Sequence, residues 1–291
     1  MTGSMIKGKE LSEQIRKQIR SEAEEIAKTT ANGRMPGLAV VQVGEDPASS
    51  IYVRHKKTAC EEVGFCSYEY KLPEECSQEE LFDLIDVLNT DPLVDGILCQ
   101  SPFPAHIDER AVFSRISHDK DPDGFHPMNK GLLSMGVPAP VPCTPLGCME
   151  LLRHNGIEIA GKTCVVVGRS DIVGKPMVSL LTAADGTVTL THSKTKDLPA
   201  VCRTADILVV AIGRKHFITA DYVKPGAVII DVGINRGEGK KVHGDVDFEA
   251  VKDIVSAISP VPGGVGPMTI TMLMKNTLML YKKSLGLPYS F

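Results

Sequence analysis

Residues 50 to 64, SIYVRHKKTACEEVG, crowd Arg54, His55, Lys56 and Lys57 around Tyr52 in a chain whose formal charge is −4. If this stretch is helical, side chains three and four positions apart share a face, so Ser49, Tyr52, Lys56 and Ala59 align while Arg54, His55 and Lys57 point elsewhere. A tyrosine ring can stack on a flat substrate, and a lysine shielded from water has its pKa lowered into a range useful for proton transfer. The same residues read equally as an amphipathic lysine running along a solvated face.

A second constellation is VVVGRSDIVGKPM, residues 165 to 177, with Gly168 and Gly174 at the turns. An apolar run before a glycine loop and a helical pattern after it suit a phosphate, because free N–H groups at a helix N-terminus favour an anion. The Gly-x5-Gly spacing is not the usual dinucleotide fingerprint, and a tight turn that needs glycine dihedrals is the plain alternative. The next apolar run, TVTLT, ends in Thr191, His192, Ser193 and Lys194, without the carboxylate that would bind a ribose 2′-hydroxyl. With Arg169 in the glycine loop, such a set favours the 2′-phosphate of NADP through charge-assisted hydrogen bonds. The alternative is that Arg169 and Lys194 are exposed loop cations. Gln100 ends the apolar run GILCQ, a strand end of the kind where α/β sheets bind ligands, though a glutamine there also satisfies loop backbone. Asp121 and Asp123 lie in the turn-forming DKDPDG. No further ligand at suitable spacing supports a metal there, so a turn or a substrate acceptor is the better reading.

These residues need a scaffold. GLAVVQVG, CSYEYKL and VDGILCQSP read as strands, separated by helices over 47 to 63 and over SQEELFDLIDVL, where Ser77 and Glu80 have capping-box spacing. Strands alternating with helices predict βαβ units. Beyond the proline-rich GVPAPVPCTPLG the pattern restarts: Thr144 and Pro145 suit the start of a helix over about 145 to 155. KTCVVVG, TVTLT, DILVVAIG and AVIIDVG then read as parallel strands buried on both faces of a doubly wound sheet. A terminal helix carries Pro267 in its first turn and ends at Gly286. The expected organisation is two α/β domains, the second Rossmann-like. Residues 1–140 with 267–291 form the first, and 141–266 form the second.

The pI of about 6.1 gives no footprint for nucleic acid, and no run reaches the roughly 18 apolar residues of a membrane span. The eight cysteines show neither CxxC pairs nor metal-type spacing, and read as reduced, mostly buried thiols of a cytoplasmic protein. MTGS before Met5 reads equally as a cloning remnant or a native terminus.

YVRHKKTACEEVGF, KDPDGFHPMNKGLL, PCTPLGCMELL, VVVGRSDIVGKPM, THSKT, KPGAVIIDVGIN, GDVDF and PVPGGVGPMTITML occur in this order over residues 5 to about 285. Together they closely resemble the bifunctional methylenetetrahydrofolate dehydrogenase/methenyltetrahydrofolate cyclohydrolase family. The resemblance implies two α/β domains with a cleft between them, NADP as cofactor, a folate substrate and a homodimer. It implies oxidation of 5,10-methylenetetrahydrofolate to the methenyl cation, followed by hydrolysis to 10-formyltetrahydrofolate. By the same resemblance Lys56 is catalytic, Tyr52 stacks on the substrate, Gln100 tunes Lys56 and Asp123 holds the pterin edge. Pro262, Gly263, Gly264 and Pro267 shape the substrate wall. Gly168, Arg169, Ser170, His192, Ser193, Gly213 and Ile234 match cofactor contacts. The family's Gln-Leu-Pro-Leu-Pro stands here as QSPFP, so Ser101 and Phe103 alter the pocket while Gln100 and Pro102 remain. A shikimate-type dehydrogenase or a non-catalytic nucleotide-binding module would have no need of the Tyr52/Lys56 and PVPGGVGPMT combination. The residues after TVTLT predict that the Michaelis constant for NADP lies at least about tenfold below that for NAD in steady-state assays.

Overall fold

The computed structural model describes residues 3–30, 33–237 and 241–289, with the side chains of residues 47–50 outside the description. Along the chain run β1 (Ser4–Met5), α1 (Lys9–Thr29), β2 (Gly37–Val43), α2 (Pro47–Val63), β3 (Cys66–Leu72), α3 (Gln78–Thr90), β4 (Gly96–Gln100), α4 (Glu109–Arg115), α5 (Pro127–Ser134) and α6 (Cys143–His154). Next come β5 (Thr163–Val167), α7 (Gly174–Ala183), β6 (Thr187–Thr191), α8 (Leu198–Cys202), β7 (Ile207–Val210) and β8 (Val228–Asp231). The chain continues with β9 (Asn235–Arg236), β10 (Val242–His243), α9 (Phe248–Val251), β11 (Ala257–Ile258) and α10 (Val265–Ser284). It divides into two compact α/β units, Gln14–Cys143 with Ile270–Phe291, and Met1–Glu13 with Thr144–Thr269.

In the first unit the strands lie in the order β3-β2-β4, all parallel, with Gln42 of β2 in register with Gln100 of β4. Every residue of the central strand β2 is buried, as expected for a parallel strand covered on both sides, whereas no residue of the edge strand β3 is buried. Ser77 and Glu80 close a capping box on α3: Glu80 N donates to Ser77 Oγ (3.1 Å) and Ser77 N to Glu80 Oε2 (2.7 Å). That fixes the start of a helix whose Leu81, Ile85 and Leu88 enter the core.

A buried ion pair ties the ends of this unit together. Arg34 donates from both terminal nitrogens to Asp95 (2.6 and 2.8 Å), while Gly37 N and Ser284 Oγ also donate to that carboxylate at 2.8 and 3.0 Å. Asp95 is 2% exposed, so its charge depends on these donors.

The second unit carries a six-stranded sheet in the order β1-β11-β8-β7-β5-β6, parallel throughout. Strand order reverses at β5, the switch point beyond whose carboxyl end doubly wound sheets bind ligands. β5, β7 and the end of β8 are buried, but β6 alternates in exposure because it is the edge strand, not a strand covered on both faces as its composition implied. The expected domain boundary also shifts at the N-terminus. Ser4 and Met5 pair in parallel with Ala257 and Ile258, which draws residues up to Glu13 into the second unit rather than the first. α6 begins at Cys143, ahead of Thr144; the Thr144 hydroxyl instead lies 3.0 Å from that of Thr269.

Replacing Asp95 with alanine strands the Arg34 guanidinium in a largely buried position. The expected cost is about 3 kcal/mol, read as a lower urea midpoint for the first unit.

Candidate active site

Lys56 is placed by the burial pattern of α2. Val53, Ala59, Cys60 and Val63 are buried, and Lys56 falls within the same stripe, so its side chain is carried inward. Its Nζ donates to Gln100 Oε1 at 2.8 Å, and Gln100 Nε2 donates onward to Ser101 O at 2.5 Å. Burial pushes the Lys56 ammonium below the usual lysine range, opposed by the nearby Asp123 charge. The other cations of the opening stretch do different work: Lys57 pairs with Glu69 at 2.8 Å, Arg54 is exposed, and the His55 ring meets Tyr52 edge-on with centroids 6.5 Å apart. Tyr52 is 40% exposed and stands at the rim of the Lys56 stripe. Ser49, expected on the same face, has its side chain outside the described residues.

Asp123 completes this group. Burial raises its carboxyl to about 6, against the pull of Lys56, and the Asp121 charge pushes in the same upward direction. Its neighbour Asp121 is 3% exposed and accepts from His126 N (2.8 Å) and Asn129 Nδ2 (2.9 Å), so it organises the loop. Asp123 has a weaker partner, the Cys143 thiol, with Sγ 3.8 Å from Oδ1. Composition alone did not single out Asn276 of α10. Its Nδ2 donates to Pro122 O (2.7 Å) and Val141 O (2.8 Å), clamping the peptide that leads into Asp123. Asn276 stands between Lys275 and Thr277 in LMKNTL, so the pattern gave no signal that set it apart. Phe103, from the divergent QSPFP, packs against the unit's core with its ring 6.3 Å from that of Phe113.

In the second unit the remaining candidates gather at the carboxyl ends of the parallel strands. Gly168 and Gly174 border the turn from β5 to α7. A Cβ on Gly168 would lie 2.2 Å from Ala211 O, and one on Gly174 1.9 Å from Gly168 O, so close backbone packing alone demands both glycines. Between them Arg169 and Ser170 are exposed, and Ser170 Oγ accepts from Val173 N at 3.1 Å. At the end of β6, His192 N donates to Thr195 Oγ1 (2.9 Å) and Lys194 N to His192 Nδ1 (3.1 Å), which leaves Ser193 exposed at the tip. Gly213, at φ +65°, follows β7, and a Cβ there would meet nothing within 4 Å, so it is conformation that calls for glycine. Ile234, 51% exposed, lines a cavity of about 160 Å³ with Asp231, Pro262, Gly263, Gly264 and Pro267. The expected substrate wall and one cofactor contact therefore share a pocket within this unit.

An exposed guanidinium and hydroxyl after β5, with imidazole, hydroxyl and ammonium after β6, form a donor set that fits a phosphorylated ribose. Such a sheet, in a chain that also carries an α/β unit with an inward lysine, defines the class of nicotinamide-nucleotide-dependent α/β enzymes. Two family profiles match the chain: "Tetrahydrofolate dehydrogenase/cyclohydrolase, catalytic domain" over residues 6–123 and "Tetrahydrofolate dehydrogenase/cyclohydrolase, NAD(P)-binding domain" over residues 142–285. The chain belongs to the tetrahydrofolate dehydrogenase/cyclohydrolase family. It is 55% identical over 282 residues to the bifunctional protein FolD of Acetivibrio thermocellus, covering 97% of this chain and 98% of that one. The bifunctional FolD structure from Campylobacter jejuni superposes with a TM-score of 0.93 at 46% identity, covering 96% of this chain and 99% of that one. The Trypanosoma brucei methylenetetrahydrofolate dehydrogenase-cyclohydrolase, solved with NADP and an inhibitor, gives 0.92 at 38% identity, covering 98% and 99%. A shikimate dehydrogenase from Thermus thermophilus reaches only 0.53 at 14% identity, which is likeness of fold alone.

The Asp121 charge acts on Asp123, so Asp121→Asn should lower the Asp123 midpoint from about 6. Carbon-13 NMR of the carboxyl across pH reads that shift.

Proposed function

We propose that Lys56, Gln100 and Asp123 form the working centre of a bifunctional one-carbon folate enzyme. Such an enzyme oxidises 5,10-methylenetetrahydrofolate to 5,10-methenyltetrahydrofolate with NADP and hydrolyses that product to 10-formyltetrahydrofolate. The observation that carries this reading is the Lys56–Gln100 contact at 2.8 Å beside Asp123, in a chain matched by both family profiles.

NADP, when bound, supplies the hydride acceptor for the first reaction. The substrate's two nitrogens stabilise the cation left by hydride loss, so the chain has mainly to orient its ligands. Arg169, Ser170, His192 and Ser193 are the groups we assign to the cofactor's phosphorylated ribose, with Gly168, Gly213 and Ile234 as backbone contacts.

Hydration asks more of the protein. Water bonds to the cationic carbon and gives up a proton; the carbinol then loses its O–H proton as the carbon–N5 bond breaks and N5 gains one. The net yield is one proton. Burial favours the neutral amine of Lys56, a form able to take the proton from attacking water and pass it to N5. Gln100 aims that amine through its carbonyl oxygen. Asp123, in its ionised form, accepts N–H groups of the pterin edge. Tyr52 offers its exposed ring for stacking, and Pro262, Gly263, Gly264 and Pro267 form the wall of the folate site.

We further assign the enzyme to the cytoplasm as a homodimer that supplies formyl groups to purine biosynthesis. Seven of its eight free cysteines are buried, consistent with a reducing compartment.

Replacing Lys56 with alanine should reduce cyclohydrolase turnover by at least about a hundredfold while leaving the NADP dissociation constant within about twofold. A spectrophotometric assay following methenyl formation and decay measures the loss, and retained hydrolysis would remove Lys56 from the mechanism.

A further inference from the structure

Asp245 belongs to none of the groups assigned above, yet it is fully buried and its carboxylate is saturated with donors. Oδ2 accepts from the backbone N–H groups of Ile212 (2.7 Å) and Gly213 (2.9 Å). Oδ1 accepts from Arg214 N and from Asn235 Nδ2, both at 2.8 Å. Three successive amides converging on one point make an anion-binding nest, the kind of feature that takes a phosphate in many nucleotide sites. In this unit the chain's own carboxylate fills it.

A second buried carboxylate holds the first in place. Asp231 Oδ1 accepts from Asp245 N (3.0 Å) and Gly233 N (2.9 Å), and Oδ2 accepts from Val246 N (3.0 Å). The packing leaves no slack: a Cβ on Gly233 would sit 2.3 Å from Asp245 Cγ, and one on Gly244 1.8 Å from Asp231 Oδ2. The two carboxylates thus bind the turn after β7 to the turn after β8.

We propose that Asp245, seated by Asp231, is a positioning residue of the cofactor site: it locks the Ile212–Arg214 turn to the Asn235 turn and, by filling the nest with its own charge, keeps the dinucleotide's phosphates off that turn. The turn is then left to meet a neutral ribose or ring, and phosphate recognition falls to the loops after β5 and β6. This rests on the NADP reading above.

Calorimetric titration of NADP into the full-length wild type, Asp245→Asn and Asn235→Ala tests it. The Asp245→Asn amide would turn an NH2 toward two N–H donors, so its dissociation constant should rise at least about tenfold. Its Michaelis constant for NADP should rise in step, while that for folate stays within about twofold. Asn235→Ala removes one donor without such a clash and should weaken NADP binding by about threefold. In the NADP-free wild type, hydrogen exchange should find the Ile212, Gly213 and Arg214 amides protected. Wild-type affinity in either variant, an equal rise in both Michaelis constants, or rapid exchange of those three amides would overturn the proposal. If Asp245→Asn does not fold, Asn235→Ala and the exchange data decide. A wild type that does not bind NADP would instead overturn the functional reading, and the exchange experiment would still test the nest.

Discussion

Lys56 enters α2's apolar stripe among Val53, Ala59, Cys60 and Val63, where an ammonium loses hydration that a single neutral carboxamide at 2.8 Å does not replace. That deficit shifts the lysine toward its neutral form, against the opposing charge of Asp123. The deficit has to be maintained, and much of the first unit does so. Fully buried β2 and the apolar stretch of β4 set Gln100 at a strand end, the capping box fixes where α3 begins, and the Arg34–Asp95 pair joins the loop before β2 to the end of α10.

The second unit meets the same constraint in a different way. Its parallel sheet sends five connections out at the carboxyl ends of its strands, and turns exposed at a ligand site have few neighbours to stiffen them. Asp231 and Asp245 supply internal rigidity by accepting backbone N–H groups from several turns at once. Gly233 and Gly244 are consequences of this arrangement, since any side chain would displace a carboxylate.

Legibility in the sequence followed the length of the periodic signal. The seven-residue β2, the apolar cores of β5 and β7, and α2 and α3 could be read from spacing, and helical phase alone separated Lys56 from Arg54, His55 and Lys57. β1 and β11, with two residues each, carry no period at all, so the N-terminal strand and the unit it joins stayed hidden. β6 misled in another respect: TVTLT alternates threonine with Val188 and Leu190, a period-two sign of a half-exposed strand that a reading as a strand covered on both faces passes over. Asp245, Asp231 and Asn276 could not be found by pattern, because their roles depend on backbone groups far away in the chain or on the geometry of turns. Resemblance supplied roles that spacing had left open between chemistry and solvation.

Hydrogen-bond saturation, rather than pKa, distinguishes the buried carboxylates from one another. Burial raises Asp123 and Asp231 alike to about 6, so titration alone would class them together. Yet Asp231 accepts three backbone N–H groups, which exhausts most of its capacity on the fold itself. Asp123 meets a thiol at 3.8 Å, a weak donor that burial keeps protonated, and so retains most of its acceptor capacity. A carboxylate buried at the cost of desolvation and left with spare acceptors gains more from a donor-rich ligand edge than one already satisfied. Asp231 and Asp245 are therefore part of the scaffold, and Asp123 is the buried carboxylate that keeps acceptor capacity to spare.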